Sequence, residues 1–378
     1  MSSDLLQFHA FCLTDTGTRL DQYARTIARV VRPGDVVVDL GAGTGILSFL
    51  ACAAGARQVY AIEESAVSIY GEMLAAAGGF RDRVAFIQAR STQVTLPERV
   101  DVIVADVHDT FGLQPGGPRA LEDARNRFLK PGGRLIPASI ELRIAPVEVP
   151  DLYRRTVDVW QQQIHGVDLS ALRTLAVNQR HPARFEPTAF IAPLEPIASI
   201  DVGTRLDTAG EVRVVATRGA TLHGLCGCFV TTLVDDVVLG NVPGESQTSN
   251  FAQAFFPIDA PHAVAEGERL RIRMWTYDGS ELRWQIRIAH HDQLRRVQFD
   301  QATFLSAPIR PEDLKRGTSD YRPRLTARGT MERALLEKFD GTSTSAELER
   351  WLTMQFGDRL PSAREAAAFL KATIDRCG

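Results

Sequence analysis

The chain has 378 residues, too many for one ordinary core, so two or three units are expected. Hydrophobic residues at 44% and charged residues at 24% exclude a disordered or fibrous chain, and a net charge of −3 excludes bulk attraction to nucleic acid. Five scattered cysteines give no disulfide framework, and no run approaches the roughly 20 apolar residues of a membrane span, so a cytoplasmic protein without membrane contact is expected.

Residues 20 to 31 place Leu20, Tyr23, Ala24, Ile27, Val30 and Val31 at helical spacing, and Pro33-Gly34 ends that helix. The period then changes. Val36-Val37-Val38, Val59 to Ile62, Val84 to Ile87, Val100 to Val104 and Arg134 to Ile136 are short apolar runs separated by helix-like segments. Strands alternating with helices predict a doubly wound, Rossmann-like parallel sheet over residues 1–137. Residues 138–305 shift to β-branched, alternating runs at 139–146, 212–216, 225–234, 268–275 and 282–289, with a turn at Tyr277-Asp278-Gly279, and predict an antiparallel β domain. A helical stretch around Trp160, at about 151–180, interrupts it. Cys226 and Cys228 fall on one face of a strand, and without a second Cys/His pair at zinc-site spacing no metal is expected. Residues 306–329 are rich in Pro and Arg and read as a linker. Residues 330–378 form a small helical domain, in which Thr344-Ser345-Ala346-Glu347 and Ser362-Ala363-Arg364-Glu365 fit the capping-box pattern. Leu348, Trp351, Leu352 and Phe356 give one apolar face, and Phe369, Leu370 and Ile374 a second.

The most informative stretch is Val37-Val38-Asp39-Leu40-Gly41-Ala42-Gly43-Thr44-Gly45, a glycine turn that leaves a strand and enters a helix. Glycines let backbone approach a ligand where a Cβ would collide. The spacing of Gly41, Gly43 and Gly45 behind Asp39 is the class I methyltransferase form rather than the dinucleotide one, and implies S-adenosylmethionine. Glu63, in Tyr60-Ala61-Ile62-Glu63, stands where a carboxylate can accept hydrogen bonds from both ribose hydroxyls, and Ser91 and Thr92 follow the next strand on the adenine side. The alternative for each is an ordinary strand-end or loop polar group.

By these motifs the chain resembles the protein arginine methyltransferases over about residues 5 to 290. Val38-Asp39-Leu40-Gly41-Ala42-Gly43-Thr44-Gly45-Ile46-Leu47, Gly55-Ala56-Arg57-Gln58-Val59 and Ala124 to Gly133 carry the likeness, and His165-Gly166-Val167-Asp168-Leu169-Ser170 is like the family's dimerisation arm. The resemblance implies a Rossmann domain followed by a β-barrel, a head-to-tail homodimer through the arm, and Arg25 as the group that holds the cofactor's carboxylate, a solvated arginine being the alternative. It also implies a cage of two glutamates for the acceptor guanidinium. Here the first position is Asp106 and the second falls near Pro115, the family's Thr-His-Trp loop reads Ser249-Asn250-Phe251, and its N-terminal tyrosines are replaced around Phe8.

A guanidinium stays protonated in proteins, so its methylation needs carboxylates to orient it and take its charge. Asp106-Val107-His108-Asp109 places three titratable groups on the loop expected to face the donor. Asp109 could complete an acidic pair; alternatively His108, positioned by Asp106 or Asp109, could take the proton of a hydroxyl or amine. The expected function is therefore a methyltransferase acting on a hydroxyl or amine of a small molecule or peptide. Peptide or protein arginine is the alternative acceptor, and a non-catalytic cofactor-binding module the alternative class. His290-His291 beside Asp292 reads as surface structure. Phe339-Asp340-Gly341-Thr342 and the helices after it look similar to small peptide-binding domains of the PqqD-like type, which would imply a peptide acceptor; a packing extension is the alternative.

Overall fold

The amphipathic stretch near the N-terminus forms helix α1 (Asp21–Val30), whose buried side carries Tyr23, Ile27 and Val30 at i, i+4 and i+7. The structure is a computed structural model that describes residues 10, 16–204, 208–245, 249, 251–277, 281–289, 296–308 and 310–377. Strand β1 (Val36–Leu40) is buried at all five positions, as a strand covered on both faces requires. It is followed by α2 (Ile46–Ala53), β2 (Gln58–Glu63), α3 (Ser68–Gly78), β3 (Val84–Gln88) and β4 (Val100–Ala105). A two-residue hairpin of β5 (His108–Asp109) and β6 (Gly112–Leu113) then leads to α4 (Gly117–Phe128) and β7 (Leu129–Ile136). The sheet is parallel in the order β3-β2-β1-β4-β7. The chain leaves β1 toward one edge and returns beside it at β4, so the crevice at their carboxyl ends is the topological switch point, where open α/β sheets bind ligands. Leu40 pairs with Ala105. Gly41 and Asp106 therefore leave the sheet side by side.

Strand β8 (Ser139–Val147) opens the antiparallel part. The excursion after it is helix α5 (Pro150–Thr156), a 3-10 turn at Asp158–Gln161, a hairpin of β9 (Gln163–Ile164) and β10 (Val167–Asp168), and helix α6 (Arg173–Val177). Beyond it lie β11 (His181–Ala183), β12 (Glu195–Asp201), β13 (Ala209–Val215), β14 (Ala220–Val234), β15 (Val237–Gly240), β16 (Gln253–Val264), β17 (Arg269–Tyr277), β18 (Glu281–Ala289) and β19 (Arg296–Ala302). They form one sheet in the order β11-β16-β14-β8-β12, with β15 on β14, and a second in the order β13-β17-β18-β19. One hydrophobic cluster runs from Val36, Ile103 and Leu121 of the parallel sheet side to Phe229, Phe256 and Trp284 of the antiparallel strands. Five of these strands, β11, β12, β15, β16 and β19, escape sequence reading. Pro257 and Pro261 break the β signature of β16, while β12, β15 and β19 are short or mixed in polarity. The expected turn residues Asp278 and Gly279, Asn250, and His290 to Asp292 lie outside the described residues, as does Phe8.

The chain divides after Pro308 into a second compact unit. The stretch expected as a linker contains helix α7 (Pro311–Arg316), favoured by proline in its first turn, acids at Glu312 and Asp313 and bases at Lys315 and Arg316. Helices α8 (Ala327–Leu336), α9 (Ser345–Phe356) and α10 (Ala363–Cys377) enclose Met331, Leu335, Leu348, Leu352, Phe369 and Leu370. Thr344 and Glu347 make a reciprocal capping box, and Ser362 and Glu365 make the same pair of bonds. Ile374, expected on the apolar face of α10, is 37% exposed. Among the described residues no helix is long and apolar enough to cross a membrane, and no cluster of acids, histidines and cysteines could hold a metal ion. Cys52, Cys226 and Cys228 are free, buried thiols.

Candidate active site

The glycine turn is shaped by backbone. The amides of Gly41 and Ala42 both donate to the carbonyl of Ile62, at 2.9 and 3.1 Å, which folds the turn against the end of β2. Gly41, Gly43 and Gly45 have φ of +74°, +54° and +84°, a region that favours glycine. Gly45 is also fixed by packing, because a Cβ there would lie 2.7 Å from the Phe86 ring. Glu63 closes the turn: one carboxylate oxygen accepts from Gly43 N at 3.0 Å and the other from Ser65 N at 2.8 Å. A carboxylate has about four lone-pair sites, so Glu63 keeps capacity for hydroxyl donors.

Above this turn lies a cavity of about 620 Å³, within the usual range for small-molecule sites. Its wall includes Gly41, Glu63, Ser91, Thr92, Val107 and Pro115. Four residues expected from the sequence to hold the cofactor thus share one wall. Asp39 does not: it is buried beneath the turn, accepts from Ser48 Oγ at 2.7 Å and leaves its other oxygen without a partner. Burial pushes its carboxyl up to about 7, against the opposing Ser48 hydrogen bond and with help from the Glu63 charge. Gly43 and Gly45 shape the turn from behind. Arg25 is exposed on α1 and lies outside the lining of this cavity.

On the β4 side the structure separates what the sequence grouped. The β5–β6 hairpin alternates its side chains, so Val107 faces the cavity while His108 turns inward. The His108 side chain is fully buried and stacked on Phe229, with ring centroids 5.2 Å apart. Its Nδ1 is 3.1 Å from Asp106 Oδ1 and its Nε2 is 3.0 Å from Thr231 Oγ1. Asp106 can only accept, so Nδ1 carries the proton and donates, leaving Nε2 to accept from the Thr231 hydroxyl. Burial, reinforced by the Arg19 charge and opposed by that of Asp109, pushes the imidazole down to about 3. It is a neutral ring with both nitrogens engaged. The expectation that His108 takes an acceptor's proton is corrected on this ground: hairpin alternation points it into the core instead of the crevice.

Asp109 is also placed differently from the expectation. Its carboxylate is clamped by Arg180, Nη1 to Oδ1 at 3.1 Å and Nη2 to Oδ2 at 2.6 Å, and Oδ1 also accepts from Phe111 N at 2.8 Å. It ties the hairpin to the chain just after α6 and does not complete an acidic pair with Asp106. The partner of Asp106 is Arg19, which bonds its Oδ2 and lies over the Phe251 ring at 5.9 Å. The two side chains are 8% and 11% exposed. Tyr23, next on the same helical face, donates to the carbonyl of Ala105 at 2.8 Å. Arg19 is missed by sequence reading. The signal for it is its position four residues before Tyr23 and eight before Ile27, on the side that is buried.

Residues 19–139 match the family described as ribosomal protein L11 methyltransferase (PrmA). Over longer stretches the chain is 38% identical to a probable protein arginine N-methyltransferase 6 of Arabidopsis thaliana, covering 38% of this chain and 33% of that one. It is 30% identical to a probable histone-arginine methyltransferase CARM1 of Oryza sativa subsp. indica, covering 64% of this chain and 48% of that one. The chain thus spans a third to a half of these curated relatives. Among solved structures, the Trypanosoma brucei PRMT1 enzyme-prozyme heterotetrameric complex with AdoHcy superimposes with a TM-score of 0.69 at 22% identity, covering 78% of this chain and 97% of that one. The chain is protein arginine methyltransferase-like. A second such neighbour, Arabidopsis thaliana protein arginine methyltransferase 10, has a TM-score of 0.67 at 21% identity and covers 79% of this chain. In this arginine methyltransferase-like chain the Rossmann-like sheet, the antiparallel β domain and the helical excursion follow in the order the resemblance implies.

Proposed function

We propose that this protein is an S-adenosylmethionine-dependent methyltransferase whose acceptor is an arginine of a peptide or protein. The observation that carries the reading is the shared wall at the switch point, where the bare backbone of Gly41, the Glu63 carboxylate and the Ser91 and Thr92 loop surround one cavity that Val107, the residue after Asp106, also lines. These residues fit the cofactor: Glu63 would accept the ribose hydroxyls, and Ser91 and Thr92 would border the adenine. When bound, the cofactor supplies a methyl group on an already activated sulfonium, so the protein's task is to orient the nucleophile and receive its proton. Asp106, leaving the sheet beside Gly41, is the carboxylate that would orient the acceptor nitrogen and balance its charge.

The peptide-arginine acceptor replaces the small-molecule hydroxyl or amine as the first reading for two reasons. The histidine that favoured the latter is buried with both nitrogens engaged, and the curated relatives above carry arginine-methyltransferase names. One observation supports a hydroxyl or neutral amine as the second reading: the charge of Asp106 is already matched by Arg19, so an arginine acceptor must displace that guanidinium. Incubation with methyl-labelled cofactor and two acceptor sets, arginine peptides and hydroxyl- or amine-bearing small molecules, separates them. Label on arginine supports the first reading; label confined to the small molecules replaces it.

The excursion between β8 and β11 supports a homodimer. Ile164, Val167 and Leu172 are 45%, 59% and 41% exposed on its hairpin and following turn, an apolar surface that needs a partner. Light scattering of the full chain is expected to give a dimer, and a monomer in Ile164→Asp/Val167→Asp.

A further inference from the structure

The outward face of the β13-β17-β18 sheet carries a charge pattern that its own packing does not call for. Arg213 pairs with Arg271 and Arg271 with Arg287, so three arginines stand directly opposite one another on adjacent strands. Like charges in that register destabilise a sheet. Together with Arg269, one step along β17, they line a concavity of about 500 Å³. Among the described residues Glu211 bonds Arg271 at 2.5 Å and Arg213 at 3.3 Å, while Arg287 donates to the neutral Gln298 at 2.9 Å and lies within reach of the Asp300 charge, which is itself paired with Arg283. The Nε of Arg271 is buried without a hydrogen-bond partner. A local excess of positive charge on a chain of net charge −3, with an unsatisfied guanidinium donor at its centre, describes a surface made for anions.

We propose that this face is a docking site for a carboxylate-rich segment of a partner protein. The three-arginine row spans roughly 10 Å, and alternate residues of an extended peptide place carboxylates about 7 Å apart, so two of them can each meet a guanidinium fork. A single-stranded nucleic acid fits less well. It needs aromatic faces on which bases stack. Trp275, on the same face, is covered by its own arginines, with Arg273 4.8 Å and Arg283 5.3 Å from the ring centroid.

The test is fluorescence anisotropy of a dye-labelled, glutamate-rich peptide titrated with the full chain at low and high salt. Binding at low salt that weakens as salt rises is expected, with affinity falling on the order of tenfold in Arg213→Gln/Arg287→Gln. Arg269→Gln, an exposed position, gives a smaller loss in the same direction and guards against a folding defect in the double variant. Three results overturn the proposal: no binding by the wild type, unchanged affinity in both variants, or tighter binding of a single-stranded RNA than of the peptide.

Discussion

The two sides of the crevice are held in different ways. On the β1–β2 side the bonds are local: Glu63 reaches Gly43, 20 residues away, and Ser65, two away. On the β4 side they are distant, with Asp106 held by Arg19 at a separation of 87, His108 by Thr231 at 123 and Asp109 by Arg180 at 71. A turn fixed by its neighbours can expose its polar groups to a cavity and keep its shape. A loop fixed from three remote elements is a tertiary lock, and its charged groups are committed to one another before any acceptor arrives. Substitutions on the first side should therefore act on ligand binding, and those on the second on stability and acceptor choice.

The largest expected effect is in the lock. Asp106→Ala leaves the Arg19 guanidinium buried without its partner, at a cost of about 3–5 kcal/mol. Urea unfolding measures it, and a loss below about 1 kcal/mol would break the comparison. Glu63→Ala is the counterpart on the local side. It removes charge-assisted bonds to the turn, so S-adenosylmethionine binding measured by calorimetry is expected to weaken roughly 10- to 100-fold, with a smaller loss of stability than in Asp106→Ala. Unaltered affinity would remove Glu63 from the site.

How much of this is readable in the sequence follows from the same contrast. Gly41, Glu63, Ser91 and Thr92 sit at fixed offsets from strands that announce themselves, and they meet in one wall. Asp106, His108 and Asp109 are equally visible as residue types. Their directions are set by a two-residue hairpin and by Thr231, Arg180 and Arg19, and no local pattern encodes those partners. Asp39 and Gly45 belong to the motif, yet the structure uses them under the turn, one against Ser48 and the other against Phe86. The class of fold is legible from periodicity, whereas β16 is hidden by its two prolines, which only pairing with β14 and β11 overrides.

Arg19→Met sharpens the acceptor side without emptying it. Freeing the Asp106 oxygen is expected to raise methyl transfer to an arginine peptide about threefold to tenfold, because the site no longer has to expel its resident guanidinium. A fall in that rate, with cofactor affinity unchanged, would make Arg19 a positioning group instead. The last effect is on pH. The unfolded imidazole of His108 takes its proton near pH 6.5 and the folded one only near 3, so the unfolded state binds more protons in between. Stability from this group is lost as pH falls from about 6.5. Asp39 acts in the opposite sense, since its folded carboxyl holds a proton up to about pH 7 and its contribution is lost as pH rises from about 4 through 7. His108→Gln isolates the first effect: the loss of stability with acid should shrink by on the order of 1 kcal/mol per pH unit below about pH 6, read from melts across that range. An unchanged slope would contradict the buried neutral ring.

The most direct test of the central claim is tandem mass spectrometry of an arginine peptide incubated with methyl-labelled S-adenosylmethionine and wild-type, Glu63→Ala or Asp106→Asn protein. The account predicts label on the arginine side chain with wild type and its loss in both variants, through weakened cofactor binding in the first and an unbalanced acceptor charge in the second. Unlabelled arginine from a wild-type protein that binds the cofactor, or labelling that persists in Asp106→Asn, would contradict it.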